Sequence, residues 1–168
     1  MNKALSLAVA ATLSCASLNS EAQTMIGKTT DVAAIANGDR MNAETLWAMG
    51  RIGGAAASPD GKTVVYQVGY YSVKQNKSHQ MLYTVSADGK KQHSLTTTAA
   101  SESDATWIDG GKRIAFLTGG QLWSMNADGT DRRQLTKSEI DIEGYIFSPD
   151  EKKVILIKSL PYHESIKK

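Results

Sequence analysis

The sequence is nearly free of cysteine. Its single cysteine, Cys15, lies in a short apolar stretch near the N-terminus. One cysteine cannot form an intramolecular disulfide framework, and it cannot supply a zinc site that needs several thiolates. If that stretch is removed on export, no thiol remains, so a cysteine nucleophile is excluded as well.

The sequence also lacks an apolar run long enough to cross a membrane, which takes ~20 residues. Lys3 precedes an uncharged apolar stretch at residues 4–13, and the small residues Ser20 and Ala22 mark a signal-peptidase site. We therefore predict a signal peptide at residues 1–22. This indicates a protein that is exported to the periplasm or secreted.

A second interpretation of the N-terminus makes Cys15 the acylated first residue of a lipoprotein. Thr12 stands where leucine is usual in such a signal, so this alternative is the weaker one. In either case, residues 23–40 have no sustained apolar period and are predicted to be a leader or linker. Residues 41–168 are predicted to hold the folded part.

Neither sign of charge dominates the chain. It carries 19 basic and 17 acidic residues, which gives a formal net charge of +2. Lys74, Lys77, Lys90 and Lys91 form no dense basic stripe, and no glycine-rich phosphate-binding motif is present. Nucleic acid is therefore not expected as a partner.

What the sequence does contain is a repeat. Only three prolines occur, and two of them stand in Ser-Pro-Asp turn clusters at residues 58–62 and 148–152, with a related Asp-Gly-Gly cluster at 108–112. Each cluster precedes a short strand that is apolar at successive positions, which is typical of a strand covered on both faces. A second unit recurs after about 40 residues: Leu82-Tyr83, Asp88-Gly89 and Leu95-Thr96 return as Leu122-Trp123, Asp128-Gly129 and Leu135-Thr136.

A repeat of ~40 residues with about four short strands predicts propeller blades. The predicted fold is therefore all-β: an incomplete propeller of about three blades of four-stranded antiparallel sheet, against the 4–8 blades of a closed ring. A short helix is predicted before the blades, with Asn42 as its N-cap and Gly50 at its end. The first period is longer than the second by about 10 residues, and we predict that residues 72–79 form an extended hairpin loop.

No catalytic, cofactor-binding or metal-binding set can be assigned. The Gly-x-Ser-x-Gly elbow of serine hydrolases is absent from the sequence. The three histidines are scattered: His79 in the polar insertion, His93 on an expected exposed strand and His163 near the C-terminus. Single histidines of this kind are predicted to face solvent.

Two other patterns have structural interpretations. Residues 126–131 cluster oxygen atoms, but Lys137 stands where a calcium-binding loop needs glutamate, so a hairpin turn is favoured. We interpret Trp107 and Trp123 as packing residues between blades, because residues of other sizes replace them in the other repeats. Those residues are Ala57, Phe147 and Tyr83.

The opening helix with Leu46 and Trp47, the Ser-Pro-Asp-Gly-Lys cluster at 58–62 and the repeated Leu-Tyr, Asp-Gly and Leu-Thr pairs resemble a known family. They are similar to the N-terminal propeller of prolyl-oligopeptidase-family serine peptidases, in the dipeptidyl-peptidase and acylaminoacyl-peptidase branches. The resemblance implies a serine, aspartate and histidine triad on an α/β-hydrolase domain C-terminal to the propeller. No residue of this chain matches that triad. The paired glutamates that hold a substrate's amino terminus in dipeptidyl peptidases are not recognisable either, since Glu139 and Glu143 are not adjacent.

The resemblance therefore implies the front part of an exported serine exopeptidase that cleaves short peptides. Its propeller would gate access to a hydrolase domain that this chain lacks, and we expect the chain alone to be inactive. No cofactor is expected, peptide substrates belong to the intact protein, and the oligomeric state is not indicated. Two alternatives stay open: a Tol-like propeller binding module of the cell envelope, and a decayed or mispredicted reading frame without activity.

Overall fold

The computed structural model describes residues 41–73 and 75–160. The predicted signal peptide, the leader and His163 lie outside these residues. No helix among the described residues has the length and apolar character needed to cross a bilayer. One short helix and a 3-10 turn at Asp109–Gly111 accompany the strands: α1 (Ala43–Ala48), β1 (Arg51–Ala57), β2 (Thr63–Ser72), β3 (Lys77–Ser86), β4 (Gln92–Ser94), β5 (Ser103–Ile108), β6 (Arg113–Thr118), β7 (Gln121–Asn126), β8 (Arg133–Gln134), β9 (Gly144–Phe147) and β10 (Val154–Ile157).

The strands form three antiparallel sheets in chain order. Strands β1 to β4 form a four-stranded sheet, here the first blade, and β5 to β8 form the second blade. Strands β9 and β10 pair as a two-stranded sheet, here the third hairpin. Within each sheet, every strand pairs with its neighbour in sequence, as in propeller blades. The predicted all-β, partial propeller fold is confirmed.

The repeated turn clusters close with one set of hydrogen bonds. In the first blade, Ser58 Oγ donates to Asp60 Oδ1 (2.6 Å), which also accepts from the backbone amide of Lys62 (3.1 Å). The Thr63 amide donates back to Ser58 Oγ (3.0 Å). The same network recurs in the turns that begin at Ser86 and Ser148. Each turn is therefore specified within a few residues of sequence.

The main hydrophobic core lies between the two blades. The first blade contributes Val65, Leu82 and Leu95, and the second contributes Ile114, Phe116 and Met125. The opposite face of β6 packs on the third hairpin in a second cluster: Ala115, Leu117, Leu122, Ile142 and Tyr145. Strand β6 is therefore buried on both faces, as its unbroken apolar sequence predicted.

Two local predictions need correction. Asn42 does cap the helix, since its Oδ1 accepts from the Thr45 amide at 2.7 Å, but the helix ends at Ala48 with Met49 as its C-cap, not at Gly50. Half of the polar insertion at residues 72–79 is strand rather than loop. Strands β2 and β3 are 10 residues long and stay paired out to Ser72 and Lys77, whereas β6 and β7 have 6 residues each. Polar side chains do not prevent this pairing, because the backbone supplies the hydrogen bonds of a sheet.

Candidate functional site

A hollow of about 410 Å³ lies at the tip of the extended β2–β3 hairpin, the feature that sets the first blade apart from the second. Two aromatic side chains, Trp47 from α1 and Tyr71 from β2, supply part of its wall, and both are partly exposed. Val73 adds an exposed aliphatic surface. The described residues that line it are Trp47, Tyr71, Ser72, Val73, Asn76, Lys77 and Ser78.

The side chain of Arg51 lies against both aromatic walls of this hollow. Its guanidinium carbon is 4.9 Å from the Trp47 ring centroid and 4.6 Å from that of Tyr71. The two rings themselves meet edge-on at 5.7 Å. Contacts of this kind stabilise a cation through the ring faces and leave the guanidinium N–H groups available to an acceptor.

Close backbone packing fixes the helix beside the hairpin. Gly50 joins α1 to β1, and a β carbon at this position would lie 2.8 Å from Val68 Cγ1 and 2.9 Å from Tyr70 Cε1. Only glycine allows the chain to approach β2 this closely without displacing a neighbour. The position of Trp47 relative to Tyr71 is therefore set by the strand beneath, which keeps the hollow in shape.

The electrostatic character of the hollow is positive. Among the described residues, Lys77 is the one charged residue in its lining, and Arg51 lies against its two rings. No described carboxylate belongs to the lining, and the Arg51 side chain forms no hydrogen bond or ion pair with a described residue. An anion could enter here without meeting a negative charge on the wall.

A second cleft, of about 720 Å³, lies between the two blades at their turn ends. Trp107 lines it and bridges the blades, since its Nε1 donates to the Ala56 carbonyl at 2.9 Å. The acidic groups at its edge, Asp60 and Asp128, are held by hydrogen bonds inside their own turns. Within residues 41–73 and 75–160, no group of three or more potential metal ligands is present. The cleft is a junction between the blades, bridged by Trp107.

A buried ion pair crosses the same junction. Glu102, which is 1% exposed, contacts Arg132 with a distance of 2.5 Å between Oε1 and Nη1. Glu102 Oε2 also accepts from Thr96 Oγ1 (2.8 Å), and Arg132 Nη2 donates to the Leu95 carbonyl (2.7 Å). The Arg132 guanidinium lies over the Phe116 ring at 5.2 Å. All the charge is used internally, so this pair joins the blades and does not bind a ligand.

The histidines and glutamates considered in the sequence differ in their exposure. His79 was predicted to face solvent, and this is wrong: it is 2% exposed, and its Nε2 lies 3.0 Å from the Ala100 carbonyl oxygen. The segment that leads into β5 covers it, which the sequence does not reveal. His93 is exposed on β4, as predicted. Glu139 and Glu143 are both exposed.

The two tryptophans and the oxygen-rich turn behave as predicted. Trp107 and Trp123 pack against the core cluster between the blades. Residues 126–131 form a turn, in which Asp128 Oδ1 accepts from the Thr130 amide (2.9 Å). Arg51 was not singled out from the sequence, because its contacts with Trp47 and Tyr71 depend on the packing of α1 on β2 and on the β1–β2 register, in which Arg51 lies opposite Gly69.

Comparison with known proteins gives two related sequences. The chain is 42% identical over 119 residues to dipeptidyl-peptidase 5 of Porphyromonas endodontalis, a match that covers 68% of this chain and 17% of that protein. It is 40% identical over 134 residues to dipeptidyl-peptidase 5 of Porphyromonas gingivalis, covering 77% of this chain and 20% of that protein. The chain therefore spans about a fifth of the length of these curated relatives. No protein-family profile matches the chain.

Among solved structures, the acylaminoacyl peptidase of Pyrococcus horikoshii superposes with a TM-score of 0.56 and 14% identity. The superposition covers 68% of this chain and 18% of the peptidase. At such low identity the likeness concerns the fold alone. Together, the sequence relatives and the shared fold confirm the resemblance expected from the motifs. The chain is a partial propeller whose sequence is related to a part of the dipeptidyl-peptidase 5 proteins.

Proposed function

We propose that the chain is the propeller portion of an exported dipeptidyl peptidase and forms one wall of the space through which short peptides reach a separate hydrolase domain. The observation that carries this proposal is the 42% identity to dipeptidyl-peptidase 5 over 119 residues. The sequence contains no Gly-x-Ser-x-Gly elbow. The nucleophile, its base and the oxyanion hole would therefore come from the hydrolase domain.

The contribution of this chain is then selection rather than chemistry. The blades are joined by a shared apolar core and by the Glu102–Arg132 ion pair, so adjacent sheets do not open easily. A wall of this kind excludes folded proteins by size while admitting short, extended peptides. The hollow beside Arg51 offers such a peptide a place to bind.

A chimera tests the proposal. Residues 41–160 of this chain would replace the matching segment of the Porphyromonas gingivalis dipeptidyl-peptidase 5, and release of a fluorophore from dipeptidyl reporter substrates would be measured. We expect the chimera to release dipeptides and to prefer short peptides over a peptide of several dozen residues. A chimera with Phe116→Asp, which places a charge in the core, serves as the misfolded control. A soluble, folded chimera without dipeptidyl release would contradict the proposal.

Export is tested separately with a reporter. Residues 1–40 would be fused to alkaline phosphatase, which is active only after export to an oxidising compartment. We expect the fusion to show phosphatase activity and to lose its signal peptide. We also expect the Cys15→Ala variant to be processed like the parent. Loss of processing in Cys15→Ala would favour the lipoprotein interpretation, and absence of phosphatase activity in both would contradict export.

A further inference from the structure

Next to the extended hairpin of the first blade, the first residue of β1 is the cation Arg51. Arg51 is held against Trp47 and Tyr71 at 4.9 and 4.6 Å, and within the described residues it pairs with no carboxylate or carbonyl. The other arginines of the blades donate hydrogen bonds to acceptors within the blades, although the buried Nε of Arg132 has no partner among the described residues. Arg113 donates to Asn126, Ser124 and Asp131, and Arg132 to Glu102 and Leu95. Arg51 is the exception among them.

The apolar hollow lies next to this cation and shares two walls with it. Trp47 and Tyr71 contact the guanidinium and also line the hollow, so a ligand could reach the cation and the apolar surface at the same time. Lys77 adds a second positive charge to the lining. The second blade has no counterpart, because its hairpin ends at Thr118 and Gln121.

This combination selects a particular chemical group. A guanidinium binds a carboxylate through two parallel hydrogen bonds, and a nearby apolar wall binds an aliphatic or aromatic side chain. The C-terminal residue of a peptide carries both on a single α carbon. An acidic side chain would need a second, apolar residue to fill the hollow.

We propose that Arg51 and the hollow bind the C-terminal residue of a short peptide, with its carboxylate on Arg51 and an apolar side chain against Trp47, Tyr71 and Val73. The inference deepens the proposed function, since it takes peptides as the substrate class. It concerns binding alone, so it can be tested without hydrolysis. Failure of binding and failure of the chimera to cleave are therefore separate results.

Calorimetric titration of the purified full chain tests the site. Three probes are compared: Ala-Ala-Leu with a free carboxylate, the same peptide as its C-terminal amide, and Ala-Glu-Leu amide, whose only carboxylate is a side chain. We expect the free acid to bind at least about tenfold more tightly than either amide, because the first amide has no carboxylate for Arg51 and the second carries its carboxylate on a different residue from the leucine side chain. Equal binding of the first two probes would overturn the proposal. Equal binding of Ala-Glu-Leu amide and the free acid would overturn the assignment to a C-terminus.

Variants separate a binding role from a structural one. Arg51→Gln should remove the preference for the free acid, while Arg51→Lys should keep part of it because the charge remains. Val73→Asp places a negative charge in the hollow at a side chain that is 68% exposed, so it should abolish binding without unfolding the blade. Lys91→Gln, in the cleft between the blades, is the matched control and should bind as the parent does. Retention of the acid preference in both Arg51→Gln and Val73→Asp would refute the site.

Discussion

The junction between the first and second blades is ionic, whereas the junction between the second blade and the third hairpin is apolar. Between the first and second blades, the Glu102 amide donates to the Gln80 carbonyl (3.0 Å), and its buried carboxylate pairs with Arg132. Between the second blade and the third hairpin, the Ile142 amide donates to the Gly120 carbonyl (2.9 Å) in the same way. The side chain there is a buried isoleucine within an apolar cluster.

A repeated threonine shows how each junction adjusts. Thr96 Oγ1 accepts from the Leu82 amide and donates to Glu102, whereas Thr136 Oγ1 accepts from the Leu122 amide and donates to Gln121 Oε1 (3.0 Å). In both junctions the threonine hydroxyl accepts a hydrogen bond from a backbone amide, but the group to which it donates differs. The repeat therefore fixes the turn and the strand, while the residue in the junction can be ionic or apolar. In the ionic junction the Glu102 carboxylate is paired, whereas the buried Nε of Arg132 has no hydrogen-bond partner among the described residues.

The largest effect is expected from breaking the ionic junction. Arg132→Met should lower the free energy of unfolding by roughly 3 kcal/mol, because it leaves the Glu102 carboxylate buried without a partner. Urea denaturation followed by tryptophan fluorescence measures this. The double variant Glu102→Ile and Arg132→Met imitates the second junction and should recover stability to within about 1 kcal/mol of the parent. A double variant as unstable as the single one would show that the two junctions are not interchangeable.

A smaller effect is expected at the indole that bridges the first junction. Trp107→Phe removes the hydrogen bond to the Ala56 carbonyl and gives the residue found in the third hairpin, Phe147. We expect a loss of about 1 kcal/mol in unfolding free energy, beyond that from reduced packing. Trp123→Phe is the control, since this indole packs on the same core and donates no hydrogen bond within the described residues. Equal losses in the two variants would argue against the bridge.

His79 should make the first blade sensitive to mild acid. Burial lowers the pKa of His79 from its ordinary value of 6.5, and the nearby Glu102 charge opposes this in part. Because the neutral ring is favoured in the folded chain, its contribution to stability is present above pH ~6.5 and is lost as the pH falls below it. Melting temperatures at pH 7.5 and 5.5 measure the effect. His79→Gln should reduce the difference, with His93→Gln on the exposed strand as the comparison; an unchanged difference in His79→Gln would contradict this role.

The smallest effect on stability is expected from the serine–aspartate turn that recurs in the first blade and in the third hairpin. Hydrogen bonds from Ser58, Ser86 and Ser148, together with backbone amides, lower the pKa of Asp60, Asp88 and Asp150 below 3.8. Ionised aspartate therefore stabilises each turn above about pH 4, and this contribution is lost as the pH falls through the lowered pKa values. Asp60→Asn with Asp88→Asn should flatten the acid limb of stability between pH 5 and 2.5 in urea titrations. A limb as steep as that of the parent would contradict the assignment.

Much of the fold could be predicted because its signals are local. The helix cap at Asn42 and the turn at Ser58 each depend on hydrogen bonds between residues at most five apart. The insertion was predicted as a loop because its residues are polar, although the register continues through Ser72 and Lys77. The burial of His79 depends on Ala100, which is distant in sequence, so composition gave no sign of it.

The sequence by itself determined the strands, their turns and the order in which they pair, because these rest on apolar runs and on short hydrogen-bonded segments. Only the tertiary structure decided which side chains meet across sheets. Glu102 and Arg132 are separated by 30 positions, and Trp47 reaches Tyr71 around Arg51 through the packing of α1 on β2. Contacts of this range depend on strand register and on the approach of one sheet to the next, which no local pattern encodes.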